Sequence, residues 1–222
     1  MLLSFTEENY LKAIWSLSSE SAIAEVSTNQ LSAQLKNSAA SVTEMLKRLS
    51  DKKLIRYEKY KGVSLSAKGK KIAIAIVRKH RLWEVFLMEK LKFSWDQVHD
   101  IAEQLEHIKS EELIERLDTF LGKPRRDPHG DVIPDVHGNF QKQKVLPLVE
   151  AECKHCYIFT GVREHAPAFL QHLTNIGLKI GDEIRIDEIN AFDQSLRISI
   201  NKNNEQFMSE KVSTNILVEL RK

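Results

Sequence analysis

The sequence predicts a mainly α-helical chain with a β-rich C-terminal part, and three observations support that fold class. Apolar residues recur at helical spacing as far as Gly122. Two short helical segments, separated by a tight break, are followed by a two-stranded pattern around Gly62. After Pro147 the hydrophobic period changes to two, which is typical of short strands. With 222 residues, the chain can hold one large domain or two to three small ones.

Composition excludes several classes of protein. Hydrophobic residues make up 42% and charged residues 29%, as in an ordinary folded domain. No apolar run approaches the roughly 18 residues that a membrane-spanning helix needs. The N-terminal stretch lacks a basic segment before its apolar residues, and the sequence has only two cysteines, Cys153 and Cys156. We therefore expect a cytoplasmic protein without a membrane partner.

Residues 1–73 are predicted to form a winged helix-turn-helix. An amphipathic helix around Tyr10–Leu17 comes first, and Ser27 or Thr28 then caps a short second helix. A break at Asn37–Ser38 precedes the third helix, and the ribbon around Gly62 forms the wing. In this arrangement the N-terminal positions of the third helix enter the major groove of DNA.

The candidate DNA-binding residues are small, hydroxylated or basic. Small side chains allow close approach, hydroxyl groups bond base edges or phosphates, and lysines neutralise phosphates. Between Lys47 and Lys71 there are ten basic residues and only two acidic ones, a pattern that also fits a solvated surface. The candidates are Thr28, Ser38, Ala39, Ala40, Ser41, Thr43, Lys47, Lys59 and Lys61.

Residues 74–141 are predicted to form a helical domain with metal-binding and dimerisation roles. A long helix, apolar nearly all round, carries His80 and Glu84 one turn apart. A second helix is predicted from Trp95 to His107, and four of its side chains fall within about 100° of one another. These are His99, Glu103, Glu106 and His107. Imidazole and carboxylate groups suit Mn(II), Fe(II) or Zn(II), although one such helix alone also fits an ordinary wet face.

Residues 147–222 are predicted to form a small β-barrel of SH3-like size. Strand-like runs such as YIFTGV and SLRISIN alternate with turn residues, and one short helix ends near Gly177. The segment from Lys123 to Pro147 has no periodicity and is predicted to be a structured loop. We expect surface or loop positions for His129, His137 and His172, and a structural or incidental role for the two cysteines.

In this order, the motifs resemble the DtxR/MntR family of metal-dependent transcriptional repressors. The residues that carry the resemblance are TEENYLKAIW, SVTEMLKRLSDKKLI, LSAKGKKIA, KHRLWEVFL, VHDIAEQLEH, DPHGDVIPD and GLKIGDEIRI. The resemblance covers essentially the whole chain. It implies a homodimer that binds a palindromic operator on double-stranded DNA when it is loaded with metal, and a C-terminal barrel that is FeoA-like.

The resemblance also implies two sets of metal ligands. One set would be Asn9, Glu103, Glu106 and His107, and the other His80, Glu84 and His99 with Glu164 or His165 from the barrel. Asn9 stands where iron-type members have Met and manganese-type members Asp. Glu103 replaces the Cys of iron-type members, which favours Mn(II), with Fe(II) as the alternative and Zn, Co or Ni as substitutes in vitro. Lys12 stands where shorter manganese-type members have a ligating Glu, so their two-metal arrangement is not expected.

The expected function is a Mn(II)-responsive repressor of metal-uptake genes, in which metal docks the DNA-binding domain onto the dimer. The alternatives are an Fe(II)-responsive repressor and a winged-helix DNA binder that ignores metal. An enzyme is not expected, because a zinc-protease helix needs two histidines four positions apart, and Glu103 stands at the first of those positions.

Overall fold

The computed structural model describes residues 3–20, 25–58, 61–141, 144–202 and 204–221. The helices are α1 (Phe5–Glu20), α2 (Thr28–Leu35), α3 (Ala39–Asp51), α4 (Ala67–Glu89), α5 (Val98–Leu105), α6 (Glu111–Phe120), α7 (Pro167–Asn175) and α8 (Glu210–Thr214). The strands are β1 (Ile55–Glu58), β2 (Gly62–Leu65), β3 (Leu146–Pro147), β4 (Cys156–Val162), β5 (Glu183–Ile189), β6 (Leu196–Ile200), β7 (Asn204–Met208) and β8 (Ile216–Leu220).

The chain divides into two compact units, each assembled from separate stretches of sequence. The first unit comprises Met1–His80, Glu103–Glu115 and Pro134–Asn139. The second comprises Arg81–Ala102, Arg116–Ile133 and Phe140–Lys222. Each unit has its own hydrophobic core.

The first unit contains the predicted winged helix-turn-helix. Ser27 caps α2, since its hydroxyl accepts from the Gln30 amide while the Gln30 side chain accepts from the Ser27 amide. The Ser38 hydroxyl caps α3 by accepting from the Ser41 amide, and a short turn separates the two helices. The buried faces of α1, α2 and α3 meet in one core, whose largest fully buried members include Tyr10, Leu11, Ile14, Leu31, Leu46 and Leu49.

The wing is a two-stranded antiparallel ribbon tied to the start of α2. β1 and β2 pair with Ile55 opposite Leu65. Val26 and Val63 exchange two backbone hydrogen bonds of 2.9 Å, which fix the ribbon against the chain that enters α2. The order of three helices and a ribbon confirms the predicted winged helix-turn-helix.

The helices that follow differ in length from the prediction at one point. α4 is long, as predicted, but α5 covers only Val98–Leu105, so the predicted helix from Trp95 to His107 is too long at both ends. The Trp95 indole N–H donates to the Thr174 hydroxyl at 3.0 Å, and the side chain packs against the core of the second unit. These tertiary contacts hold Trp95 in a turn before the helix. Glu106 and His107 lie in the turn after it.

The second unit is built around a six-stranded antiparallel sheet in the order β3-β8-β4-β5-β6-β7. Side chains that alternate along β4, β5 and β6 face the core, among them Phe159, Ile184, Ile186 and Ile198, each fully buried. A register shift between Phe159 and Gly161 marks a bulge where β4 leaves β5 and continues along β8. The four longer predicted strands are present, whereas β3, β7 and α8 were not predicted.

Among the described residues, no helix has the length and apolar character that crossing a bilayer would require.

Candidate metal centre and nucleic-acid interface

In each unit, the described residues bring metal-ligand side chains together. In the first unit, α1 supplies two residues, α4 one, and α5 with the turn after it three. We call this group the α1–α5 cluster; its members are Glu8, Lys12, His80, Glu103, Glu106 and His107. The second group, which we call the Glu84 cluster, comprises Glu84, His99, Asp127, His129, Asp131 and His165.

His107 is held by two side chains of α1. Its Nδ1 lies 2.6 Å from Glu8 Oε2, and the Phe5 ring stacks on the imidazole with centroids 4.5 Å apart and an angle of 12° between planes. A histidine whose one ring nitrogen is held by a carboxylate binds a cation through the other. Glu8 therefore fixes the orientation of His107, and its position also makes it a candidate donor.

Glu106 is the centre of the same cluster and is fully buried. Its Oε2 lies 2.6 Å from His80 Nδ1 and 2.7 Å from Lys12 Nζ. Burial alone would raise the pKa of Glu106, but the hydrogen bond from His80 and the Lys12 ammonium outweigh it and hold the pKa below its usual range. Its Oε1 is buried without a hydrogen-bond partner within the described residues, so this oxygen is available to a cation.

The centre of the Glu84 cluster is buried. One ligand atom each from Glu84, Asp127 and His129 lies within 4.8 Å of the others, and all three residues are buried. His99 Nδ1 adds a contact of 3.4 Å to Glu84 Oε1. The ring of His165 stacks on that of His129 with centroids 4.7 Å apart. Nitrogen and oxygen donors thus surround Glu84 from three segments of the second unit.

The loop DPHGD reaches this position because its backbone docks on β4. The Val162 amide donates to the His129 carbonyl at 2.9 Å. Gly130, at φ +90, packs so closely that a Cβ there would lie 2.0 Å from the Thr160 carbonyl oxygen. Asp127 Oδ1 accepts from the amides of His129 and Asp131, which closes the loop on itself. The side chain of His129 is consequently directed into the interior.

The tautomer of His129 follows from its neighbours. Its Nε2 lies 2.8 Å from the Trp95 carbonyl, which can only accept, so Nε2 carries a proton and donates. Nδ1 is 3.6 Å from Glu84 Oε2 and has no hydrogen-bond partner in the described part of the chain. Burial would lower the pKa of His129, but Glu84 and Asp127 raise it to about 9. A cation would replace the Nδ1 proton in this negative environment.

The pKa of Asp127 is also shifted, by burial and by the negatively charged surroundings of the Glu84 cluster. Burial together with the nearby carboxylates of Asp131 and Glu84 raises its pKa to about 8, against the opposing effect of Arg81. Arg81 Nη2 donates to Asp131 Oδ2 at 3.0 Å, and Arg81 Nε lies 3.5 Å from Asp127 Oδ2. The residues present fit a divalent cation, since a buried site with more acidic than basic groups gains from added positive charge.

Three of the residues selected from the sequence have the following surroundings. Asn9 is half-buried on α1, and it is its neighbour Glu8 that contacts His107. His80 directs Nδ1 to Glu106 in the first unit. Glu164 is exposed and its Oε1 accepts from the Ala166 amide at 2.8 Å, so it closes a turn.

His129 lies in a loop, which is one of the two expected positions, but it is fully buried and so is not a surface residue. His137 and His172 are exposed. Cys153 and Cys156 are free and half-buried, and Cys153 packs against the core of the second unit. Glu8, Asp127 and His129 were not among the predicted site residues. For Asp127 and His129, the available signal was the presence of two carboxylates and a histidine within the five residues DPHGD.

The predicted nucleic-acid surface is largely exposed. Ser38, Ala39, Ala40 and Ser41 form the exposed N-terminal end of α3, and Lys47 is exposed further along it, whereas Thr28 and Thr43 are half-buried. The Thr43 hydroxyl donates to the Ala39 carbonyl at 2.8 Å, so its own helix already uses it. Lys61 Nζ lies 2.7 Å from Glu58 Oε2 on the exposed wing, and Lys59 lies outside the described residues.

Comparison with known proteins agrees with this architecture. Three family models match in succession: the iron dependent repressor N-terminal DNA binding domain over residues 2–63, the iron dependent repressor metal binding and dimerisation domain over 66–135, and the FeoA domain over 146–220. The fold therefore joins a DNA-binding domain, a helical metal-binding and dimerisation domain and a FeoA β-domain, as predicted.

Solved structures and curated relatives are similar to the chain. A manganese-dependent transcriptional repressor in complex with manganese has a TM-score of 0.87 and 30% identity, with 97% of this chain and 100% of that one covered. The manganese regulator SloR has a TM-score of 0.77 and 34% identity, with 97% and 98% covered. The iron-dependent repressor IdeR of Mycobacterium leprae is 33% identical over 131 residues, which are 59% of this chain and 56% of that protein. The chain belongs to the DtxR/MntR family of metal-dependent transcriptional repressors.

Proposed function

We propose that the chain is a metal-dependent transcriptional repressor that binds operator DNA as a homodimer and responds to Mn(II). The observation that carries this proposal is the α1–α5 cluster. Donors on α1, a helix of the winged helix-turn-helix, face donors on and after α5, as in the 2.6 Å contact between Glu8 and His107. Binding of a cation there would fix the orientation of the DNA-reading helices.

The residues of this cluster have different proposed roles. Glu103, Glu106 and His107 would hold the ion from the α5 side, and Glu8 would either join them or keep His107 oriented. A bound divalent ion supplies the positive charge that these carboxylates lack. The Glu84 cluster would hold a second ion through Glu84, Asp127 and His129.

Mn(II) is proposed because the donor set contains oxygen and nitrogen only. Glutamate at position 103 provides a hard ligand, and hard carboxylates suit Mn(II) better than soft thiolates do. Two of the similar solved structures are those of a manganese-dependent repressor and a manganese regulator, while the curated relatives include an iron-dependent repressor. Fe(II) is therefore the alternative activating ion.

The proposed homodimer is supported by apolar side chains that remain exposed in the helical part of the second unit. Met88, Leu91, Phe93 and Phe120 are 36% to 63% exposed. Exposed large apolar side chains of this kind fit the surface of a second copy. Two copies related by a twofold axis would place both α3 helices on half-sites of a palindromic operator.

Fluorescence anisotropy of labelled duplexes, taken from the promoters of the chain's own gene and of its neighbouring genes, tests the proposal. Mn(II), Fe(II), Zn(II) and chelator are compared at fixed salt, since affinity depends on salt. Tight binding with Mn(II) that chelator abolishes is the expected result. Glu106→Gln should remove the metal response, whereas Glu89→Gln, on an exposed position of α4, should retain it.

A second candidate is a DNA-binding regulator that needs no metal. One observation favours it: the Lys12 ammonium already lies among the acidic groups of the α1–α5 cluster. Equal DNA binding with Mn(II) and with chelator would support this candidate and contradict the first. Activation by Fe(II) but not Mn(II), under anaerobic conditions, would support an iron-responsive repressor instead.

A further inference from the structure

Lys12 occupies a position in the α1–α5 cluster that its surroundings make unusual for a lysine. The side chain is only 16% exposed, and its Nζ lies 2.7 Å from Glu106 Oε2 and 3.5 Å from Glu103 Oε1. It is also 3.2 Å from His80 Nδ1. Lysine is rarely buried unless acidic groups compensate its charge. Here the ammonium lies among the same atoms that would hold a metal ion.

Protonation of the neighbours shows which contact matters. His80 Nδ1 is 2.6 Å from Glu106 Oε2, a distance at which Nδ1 donates its proton to the carboxylate. Nδ1 then has no lone pair to accept from Lys12, so the ammonium interacts chiefly with the two carboxylates. Glu106 thus receives two charged or polar donors on one oxygen while its other oxygen has no hydrogen-bond partner in the described residues.

The formal charges of the cluster lead to the same conclusion. Glu8, Glu103 and Glu106 are acidic, and Lys12 is the basic residue placed among them. These four residues carry a formal net charge of −2. Without the Lys12 ammonium the net charge is −3, so the cluster would attract a divalent ion more strongly.

We propose that the Lys12 ammonium is a built-in counter-ion of the α1–α5 cluster, which holds its carboxylates together in the metal-free chain and competes with the activating metal ion. This inference rests on the proposed metal-binding role of the cluster and assigns Lys12 the role of setting its metal affinity. Metal binding is then an exchange in which the ammonium must withdraw from Glu106. The metal concentration needed for occupancy is higher than the carboxylates alone would require.

The test replaces Lys12 by methionine, which keeps the length of the side chain and removes its charge. Mn(II) affinity is measured by calorimetry on the full chain, and thermal unfolding is measured in chelator. All chains carry Asp127→Asn, which removes a carboxylate from the Glu84 cluster so that the isotherm reports the α1–α5 cluster. Lys12→Met should bind Mn(II) on the order of tenfold to a hundredfold more tightly.

The metal-free chain should respond in the opposite direction. Loss of the ammonium leaves Glu106 buried with less compensation, so the midpoint of unfolding in chelator should fall by roughly 5–10 °C. Lys12→Arg should restore the midpoint because it restores the charge. Lys109→Met is the matched control: this lysine also joins α1 to the segment after α5, but its ammonium donates to the Leu3 carbonyl. That variant should leave the Mn(II) affinity within about twofold of the parent.

Unchanged or weaker Mn(II) binding by Lys12→Met would overturn the proposal, whether or not its midpoint falls. If Lys12→Met fails to fold without metal, Lys12→Gln and the Arg variant provide the comparison, and the affinity ranking should be Gln above Lys and Arg. These measurements use no DNA. DNA binding that does not depend on metal would contradict the proposed function. The role of Lys12 is decided separately, by the ranking of Mn(II) affinities.

Discussion

Replacement of Gly130 by alanine is expected to detach the DPHGD loop from β4 and to remove metal binding by the Glu84 cluster. A Cβ at this position would lie 2.0 Å from the Thr160 carbonyl oxygen and 2.4 Å from Gly161 Cα. Carbon and oxygen atoms that are not bonded approach to about 3.3 Å. The loop must therefore move away by more than about 1 Å. Ligand distances in metal sites tolerate about 0.2 Å, so His129 would no longer reach its position.

The magnitude of the effect on stability follows from the contacts at this point. The left-handed conformation at φ +90 costs an alanine about 1–2 kcal/mol. Movement of the loop also strains two hydrogen bonds, from the Val162 amide to the His129 carbonyl and from Arg126 Nη1 to the Thr160 carbonyl. Each contributes about 0.5–1.5 kcal/mol. The total loss is about 2–5 kcal/mol.

Gly122→Ala is the matched control for this substitution. Gly122 has a similar φ of +75 in the same unit, but among the described residues no atom lies within 4 Å of a Cβ built there. The control should show only the backbone cost, so the two unfolding midpoints should differ by roughly 3–10 °C. Calorimetry with Mn(II) should show loss of one binding event in Gly130→Ala and none in the control. Equal midpoints and equal stoichiometry in the two variants would refute the steric argument.

Three further outcomes are expected. Glu8→Gln should weaken Mn(II) binding about 10–100-fold because Glu8 orients His107. A larger loss of Mn(II) binding in Asn9→Ala would contradict this, since the α1 ligand would then be Asn9, as the family resemblance implies. Lys47→Ala should reduce the slope of log binding constant against log salt concentration by about one phosphate contact. An unchanged slope would show that Lys47 does not contact the DNA. The Ser199 hydroxyl, which donates at 2.6 Å, holds the pKa of Asp187 below its usual range. The ionised Asp187 side chain therefore stabilises the fold at pH values above the pKa that Asp187 has in the unfolded chain. This contribution is lost as pH falls below about 4. Asp187→Asn should lower the midpoint at neutral pH and flatten its acid dependence, and parallel curves for variant and parent would contradict this.

Local patterns in the sequence predict most of the helices and strands correctly. α1 to α4 follow from apolar spacing and capping residues, and β4, β5, β6 and β8 follow from alternation. β7 was missed because its residues, NEQFM, are mostly polar and its side chains are partly exposed. It is a strand because it pairs with β6, with Phe207 opposite Arg197, and such pairing is not visible in a single segment.

The candidate sites could be predicted only where donors share a helix. His80 and Glu84, or Glu103 and His107, are recognisable because their spacing is regular. His129 could not be recognised as a donor, because its burial depends on backbone contacts between a loop and β4, more than 30 residues away in the sequence. The contact between Glu8 and His107 likewise depends on packing between distant segments.

The two clusters share a physical problem, which explains why each contains a basic side chain. Glu106 and Asp127 are buried carboxyl groups, and an uncompensated buried charge costs several kcal/mol. A protein that responds to metal must also be folded without metal, so the charge has to be compensated from within the chain. Lys12 does this beside Glu106. Beside Asp127, Arg81 lies 3.5 Å away, and the pKa of the carboxyl, raised to about 8, keeps it mostly protonated at neutral pH. Metal binding then exchanges one cation or proton for another. Its affinity is set by the groups displaced as much as by the ligands, so residues outside the ligand set can tune the metal concentration to which the protein responds.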